Sequence, residues 1–264
     1  MALPGDEIAA VAARPVLRRV AELDALGRRL DMRREWYHLL QNEPPRVIRA
    51  AAVVAHRNAW HFKTIWSLGR TETWDDMDLR FPLAFREAIE AAARREILDP
   101  AWVYAVARQE SAFASGSRSP AGALGLMQIM PRTARAVAAR LGEARPRTRD
   151  LLEIPTSLRL GSAYLRELKD ALGGRTVLAT AAYNAGPHRV RQWLPKEGTL
   201  AGDLWVEAIP YRETRRYVRR VLAYTAIYEQ RLGREPTPIA GLLDPVPGGV
   251  AQARAELTGQ LPRG

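Results

Sequence analysis

Residues 107–131 read ARQESAFASGSRSPAGALGLMQIMP. The stretch closes one apolar-faced helix, turns through a run of Ser, Gly and Pro, and opens a second apolar segment. Backward from it, Val103, Val106, Ala107 and Glu110 recur at spacings of three and four, which puts them on one helical face. Forward from it, Pro131 is suited to open a helix as its first residue, with Ala134, Val137, Ala138 and Leu141 inward and Gly142 as terminator.

The same periodicity runs through most of the chain, which predicts an all-α fold. Residues 15–30 place Val16, Val20, Leu23, Leu26 and Leu30 on one face, and residues 33–42 do the same with Trp36, Leu39 and Leu40. Pro44-Pro45 breaks the chain before Val47, Ala51 and Val54, and Trp60, Ile65 and Trp66 mark a further short helix before Gly69. Helices this short need neighbours to bury their apolar sides, so residues 1–96 read as a short helical, solenoid-like region. A helix over 82–98 follows. Residues 157–172 form another, through Leu158, Tyr164, Leu165, Leu168 and Leu172. One more covers 176–185, and the last, 213–232, turns Tyr217, Val218, Val221, Leu222 and Thr225 inward before Gly233. Residues 97–233 therefore read as the main domain. Residues 234–264, with Pro236, Pro238, Pro245, Pro247 and Pro262, read as an extended or disordered tail.

Composition narrows the class. The 264 residues are 47% hydrophobic and 26% charged, with no cysteine, which excludes disulfides and thiolate metal sites. No apolar run approaches the roughly 18 residues of a membrane span, and the start lacks the basic and apolar regions of a secretory signal. The net charge of +11 is unevenly spread: residues 1–96 carry +2, residues 97–233 carry +9 and the remainder is neutral. A basic surface on the main domain suits an anionic polymer such as wall material or nucleic acid, or is the solvated face of an Arg-rich protein. Arg215, Arg216, Arg219 and Arg220 form its densest cluster. His38, His56, His61 and His188 have no metal-ligand spacing, and no phosphate-binding glycine loop is present, so neither metal nor cofactor is expected.

Glu110 is the candidate for chemistry. A carboxyl group among apolar neighbours has its pKa raised, and a protonated acid near neutral pH can donate to a glycosidic oxygen. Helix geometry by itself favours the blander reading, a glutamate paired with Arg108 or Arg118. Its companions also have bland readings: Leu126 and Met127 as core, Tyr183 and Tyr217 as packed aromatics, Asn184 and Gly186 as a helix C-cap. Gln128 inside LMQIM needs a partner if buried.

Four motifs shift that balance: RQESAF (108–113), SRSPAGALGLMQIMP (117–131), AAYNAGP (181–187) and VEAIPYRETRRYV (206–218). In this order they resemble the lysozyme-like catalytic domain of soluble bacterial lytic transglycosylases, related to goose-type lysozyme, over residues 97–233. EWYHLL (35–40) and LRFPLAFREAI (79–89) are similar to the helical linker that precedes that domain. The resemblance implies that Glu110 is the catalytic acid and that Ser119 lies near the reacting sugar. It places Gly125, Met127 and Gln128 in a sugar-binding turn, with Met127 lining a subsite and Gln128 hydrogen-bonding the glycan. It brings the Tyr183 hydroxyl toward the acid beside Asn184. Tyr217 becomes the aromatic of the last motif, and Glu207 a substrate-facing carboxylate.

The implied reaction is non-hydrolytic cleavage of the MurNAc–GlcNAc bond in peptidoglycan glycan strands. Glu110 acts first as acid and then as base, the sugar's own O6 attacks, and a 1,6-anhydro ring closes. The resemblance further implies a periplasmic monomer with no nucleic-acid partner. One departure is Ser157, where many relatives have asparagine; serine is read here as a helix cap. The long helical ring domain and signal peptide that usually precede the linker are not in this chain, so it reads as the C-terminal part of such an enzyme or a shortened relative. Two readings stand beside this one. The first is a hydrolytic muramidase with Glu207 or Glu213 as second carboxylate, roughly 5–5.5 Å from Glu110 if retaining and 6.5–9.5 Å if inverting. The second is a non-catalytic basic module for wall polymer or nucleic acid.

Overall fold

A computed structural model describes residues 3–71 and 75–248. The first five helices are α1 (Gly5–Ala12), α2 (Pro15–Ala25), α3 (Arg29–Leu40), α4 (Pro45–Arg57) and α5 (His61–Leu68). α2 packs on α3, α1 on α4, and α4 on α5, around Val20, Trp36, Leu40, Ile48 and Ala51. Proline as first residue opens α2 and α4, where its missing N–H costs nothing. Trp36 is 1% exposed and donates its indole N–H to the Ser67 hydroxyl at 3.1 Å, which ties α3 to α5.

Two leucines expected inside lie outside. Leu26 and Leu30 are 71% and 72% exposed. The helix expected to continue to residue 30 ends at Ala25, and Gly27 turns the chain at φ +68°, so the next three-and-four spacing starts afresh in α3.

The short α6 (Met77–Arg80) leads to α7 (Arg86–Arg95), which starts later than the sequence suggests because Phe85 stands in the left-handed region at φ 51°. α7 packs on α8 (Pro100–Ser111), and its buried Ile89 and Ala93 belong to the same core. The Ala-rich face of α7, although it precedes residue 97, packs against α8 and the later helix Ile154–Ala171. Around α8 lie α9 (Pro131–Arg140), α10 (Ile154–Ala171), α11 (Thr176–Ala185), α12 (Pro187–Gln192), α13 (Gly202–Ala208) and α14 (Arg212–Arg231). α8 runs through the centre, with Trp102 to Ala107 all at or below 2% exposure, and α14 packs along it. A second, smaller core under α9 and α10 gathers Leu124, Ile129, Val137, Leu151 and Leu160. Among the described residues no helix is long and apolar enough to cross a membrane.

Of the tail read as extended or disordered, residues 234–248 include extended chain that is held in place. Val246–Pro247 pairs antiparallel with Thr199–Leu200, Val246 is fully buried, and the Gly248 N–H donates to the Gly198 carbonyl at 2.7 Å. Arg175 donates to the Pro245 carbonyl at 3.0 Å. Prolines there supply the extended backbone that an edge pairing needs. Residues 249–264 lie outside the described residues.

The anchor of this segment is Glu229, 4% exposed, whose carboxylate accepts from the Thr237 N–H at 2.5 Å and the Thr237 hydroxyl at 2.9 Å. Replacing Glu229 by Ala removes both acceptors and should cost about 2–3 kcal/mol. Amide exchange and limited proteolysis over 234–248 should then accelerate; unchanged protection would show that the strand pairing suffices.

Candidate active site

Glu110 sits on the last turn of α8, a helix that begins with Asp99 as N-cap, its carboxylate accepting from the Ala101 N–H at 2.8 Å. The rest of the helix is locked in the core. Trp102 donates to the Thr180 hydroxyl at 3.0 Å, and the Ser111 hydroxyl, next to the acid, donates to the Leu126 carbonyl at 2.8 Å. Glu110 itself is half-buried, and its Oε1 accepts from the Tyr217 hydroxyl at 2.7 Å. Burial pushes its pKa from 4.5 up to about 7; the Tyr217 hydrogen bond pulls it down, and the charge of Glu213 adds a smaller upward push.

The blander reading of Glu110 fails on geometry. Arg108 donates to the Arg80 carbonyl at 3.1 Å and lies over the rings of Phe81 and Tyr224. Among the described residues neither Arg108 nor Arg118 forms an ion pair with Glu110. The carboxyl is half-buried with desolvation as the main influence on it, and no cation among the described residues clamps it.

The chain leaves α8 through two consecutive left-handed residues, Ala112 at φ 48° and Phe113 at φ 66°. Such conformations cost on the order of 1 kcal/mol each for residues with a Cβ, so surrounding contacts must hold them. Phe113 is 3% exposed and meets Tyr104, Tyr228 and His61 edge-on. The returning segment carries a third strained residue, Gln128, at φ 47°. Its side-chain N–H groups donate to the carbonyls of Gly125 (2.8 Å) and Ser117 (3.2 Å). The amide therefore braces its own turn, while no protein donor among the described residues reaches its Oε1.

The other expected site residues fall into place unevenly. Gly125 has φ +75°, and a Cβ there would collide with the Leu151 carbonyl and the Ser157 hydroxyl. Met127 was expected to line a sugar subsite, but its side chain has no exposure and packs against Gly161. Its backbone carries its role: the N–H donates to Ser157 Oγ at 3.1 Å and the carbonyl accepts from the Tyr183 hydroxyl at 2.8 Å. Tyr183 therefore bonds the turn rather than the acid, although the Glu110 charge helps hold its pKa well above the usual tyrosine value, after burial. The hydroxyl on the acid belongs to Tyr217, 4% exposed. Asn184 accepts from the Thr214 hydroxyl at 2.7 Å, tying the end of α11 to α14.

Ser119 accepts from the Ala123 N–H at 2.9 Å and shapes the loop. Glu207 is exposed and ion-paired with Arg219, whose hydrogen bond lowers its pKa. Of the carboxylates of Glu207 and Glu213, it is Glu213 whose charge bears on Glu110. Among the described residues no three His, Asp or Glu side chains lie together as a metal site.

Three serines prove central, two of which, Ser111 and Ser117, had no role in the sequence reading. Ser111 and Ser117 fasten the two limbs of the loop. Ser157 is not the cap of α10, a place Glu153 takes; it lies fully buried one turn in and receives the Met127 N–H. A serine at an inward helical position was the available signal, since a buried hydroxyl needs a partner.

Three family models match the chain in succession: the soluble lytic murein transglycosylase L domain over residues 10–77, the transglycosylase SLT domain over 87–206, and the soluble lytic transglycosylase helical domain over 208–236. The soluble lytic murein transglycosylase of Escherichia coli (strain K12) is 35% identical over 227 residues, which cover 84% of this chain and 35% of that protein. Among solved structures, an inactive mutant of the lytic transglycosylase Slt from Pseudomonas aeruginosa is 40% identical with a TM-score of 0.84, over 90% of this chain and 39% of that one. The 70 kDa soluble lytic transglycosylase of Escherichia coli is 31% identical with a TM-score of 0.84, over 92% and 39%. The chain thus spans about a third of the length of the curated relatives it matches.

Because the Glu110 pKa is raised on folding, the native state holds its proton between pH 4.5 and about 7 while the unfolded state does not. The cost of burying the charge is absent below that window and complete above it, so stability falls as pH rises. Glu110→Gln should therefore be more stable than the parent at pH 8, by on the order of 2 kcal/mol, and nearly equal at pH 4. Denaturant unfolding at both pH values reads this; equal stability at both would mean a hydrated carboxylate. Tyr217→Phe removes the hydrogen bond that favours the charged form. The Glu110 pKa should rise further, as followed by carbon-13 NMR of labelled glutamate, and a fall would contradict the geometry.

Proposed function

Since the chain belongs to the soluble lytic transglycosylase family, we propose that it is a peptidoglycan lytic transglycosylase with Glu110 as its single acid and base. The observation that carries this reading is the state of that side chain: half-buried and desolvated, poised near neutral pH, hydrogen-bonded by a phenol and unpaired with any cation among the described residues.

The chemistry follows from one group serving twice. Protonated Glu110 gives its proton to the oxygen between MurNAc and GlcNAc as the C1–O bond breaks, and the positive charge at C1 is stabilised by the substrate's N-acetyl oxygen. The resulting carboxylate takes the proton from the O6 hydroxyl of the same MurNAc, and O6 bonds to C1. The 1,6-anhydro ring closes, the proton inventory balances and no water is consumed. The tethered nucleophile has a high effective concentration, and a pKa near 7 suits a group that must both give and accept.

Tyr217 supports both states: its hydroxyl donates to the carboxylate and gives way to the proton as charge is neutralised. The Gln128 Oε1 and the half-buried Asn184 are the groups suited to hold the glycan, and Ser119 shapes the loop beside them. Tyr183, Ser157 and Gly125 keep the Met127 backbone in place under that surface. In this reading the protein works in the periplasm as a monomer on glycan strands, and nucleic acid is not a partner.

The test is the product. Purified sacculi incubated with the protein should release muropeptides one water lighter than hydrolytic ones, ending in 1,6-anhydromuramic acid by mass spectrometry. Reducing-end muramic acid would identify a muramidase, in which water supplies the anomeric hydroxyl with Glu207 or Glu213 as second carboxylate. Glu110→Gln should release nothing while keeping its helical circular dichroism; binding without any release by the parent protein would leave only a wall-binding module.

A further inference from the structure

We propose that a hollow on the outer face of α9, lined by Arg132, Arg135 and Arg145, binds a phosphate-class anion. The hollow measures about 390 Å³, and none of its lining residues belongs to the Glu110 cluster. Ala136 and Ala139 form its apolar wall, and Glu143 is the one acidic residue in it.

The sequence around it is lopsided. Residues 131–149 hold six arginines and a single acidic residue. Three of the six have partners: Arg140 pairs with Glu167, Arg147 pairs with Asp150, and Arg149 lies 3.9 Å from the same Asp150. Glu143 is held by Arg159 and Arg95, both outside the hollow's lining, so its charge is already answered. Among the described residues Arg132, Arg135 and Arg145 make no hydrogen bond or ion pair, and Arg135 is half-buried. Three guanidinium side chains thus border one concavity whose single carboxylate is already paired elsewhere, an arrangement whose mutual repulsion an anion relieves.

The donor set selects the ligand. One guanidinium fork satisfies a carboxylate with two parallel hydrogen bonds. Three forks around one hollow suit a centre with three or more anionic oxygens, which is inorganic phosphate, a phosphate monoester or pyrophosphate. The methyl wall from Ala136 and Ala139 leaves room for the carbon skeleton of an ester. The source is either a free or polymer-borne phosphate or a lipid headgroup; the chemistry at the arginines is shared.

Isothermal titration of the full chain with inorganic phosphate and then pyrophosphate, at constant ionic strength, tests the site. Saturable one-to-one binding is expected, unchanged in Glu110→Gln, which separates this site from the cleft. Arg135→Gln should weaken it about tenfold and Arg132→Gln with Arg145→Gln further, while Arg135→Lys keeps charge but loses the fork and should fall between. These positions are surface-facing, and circular dichroism confirms that each variant folds. Absence of saturable binding, or equal binding in the parent and the glutamine variants, overturns the proposal. Sedimentation with vesicles of phosphatidic acid in phosphatidylcholine, against phosphatidylcholine alone, assigns the source. Arginine-dependent capture supports a lipid phosphate, and retained pyrophosphate binding without capture supports a soluble or polymer phosphate.

Discussion

The contact between the Tyr217 hydroxyl and the Glu110 carboxyl joins the two helices on which the rest of the main domain depends. α8 supplies an acid at the end of a buried helix, and α14 crosses it to supply one phenol. Desolvation and that single hydrogen bond oppose each other, and desolvation is the larger. Had Arg108 turned to the carboxyl, the pKa would have fallen instead. It is kept away because its guanidinium is occupied by the Arg80 carbonyl and two aromatic faces.

Such a site requires a backbone that few sequences tolerate. Ala112, Phe113 and Gln128 all hold positive φ angles within one loop. None is glycine, so the conformations persist only because neighbours over-determine them. Ser111, Ser117 and Ser157 satisfy the backbone of the loop from three directions, and Phe113 is wedged among aromatic rings. One of those rings is His61 of α5, which meets Phe85 and Phe113 edge-on while burial lowers its pKa to about 4. The first five helices therefore touch the loop that follows the acid. Arg29 of α3 does so as well, its guanidinium lying over Gly116.

Much of this was legible in the sequence where periodicity is long and punctuation strong. The Pro-initiated helices α2, α4, α8 and α9 follow directly from their prolines and apolar spacing. Glu110 was legible as a lone acid on an apolar face, and the motifs around it named the loop. What could not be read was which side chain serves which partner. Tyr183 and Tyr217 are equivalent as residue types, and only the crossing of α14 over α8 decides which hydroxyl meets the acid. Met127 looks like a groove residue in a motif but is core, because Gly161 lets it sink into α10. The fixed segment 234–248 was hidden for a similar reason: prolines signal extended chain, and extended chain is equally a tail or an edge strand until a partner at Thr199–Leu200 is known.

Charge carries the same lesson further. The +9 of residues 97–233 suggests a broad basic surface, yet many of its arginines are consumed locally. Arg140, Arg147, Arg166, Arg219 and Arg231 each have a carboxylate partner, and Arg108 is inside. Even the dense run at 215–220 yields Arg219 to Glu207. An exposed pair of this kind contributes little to stability, but it removes a cation from the field that an approaching polymer senses. The effective electrostatic surface is therefore set by the unpaired residues, and these do not follow the density of arginine along the chain. They concentrate where acids are scarce within reach, as on the outer face of α9, so a count of charges overstates the basic area and misplaces its centre.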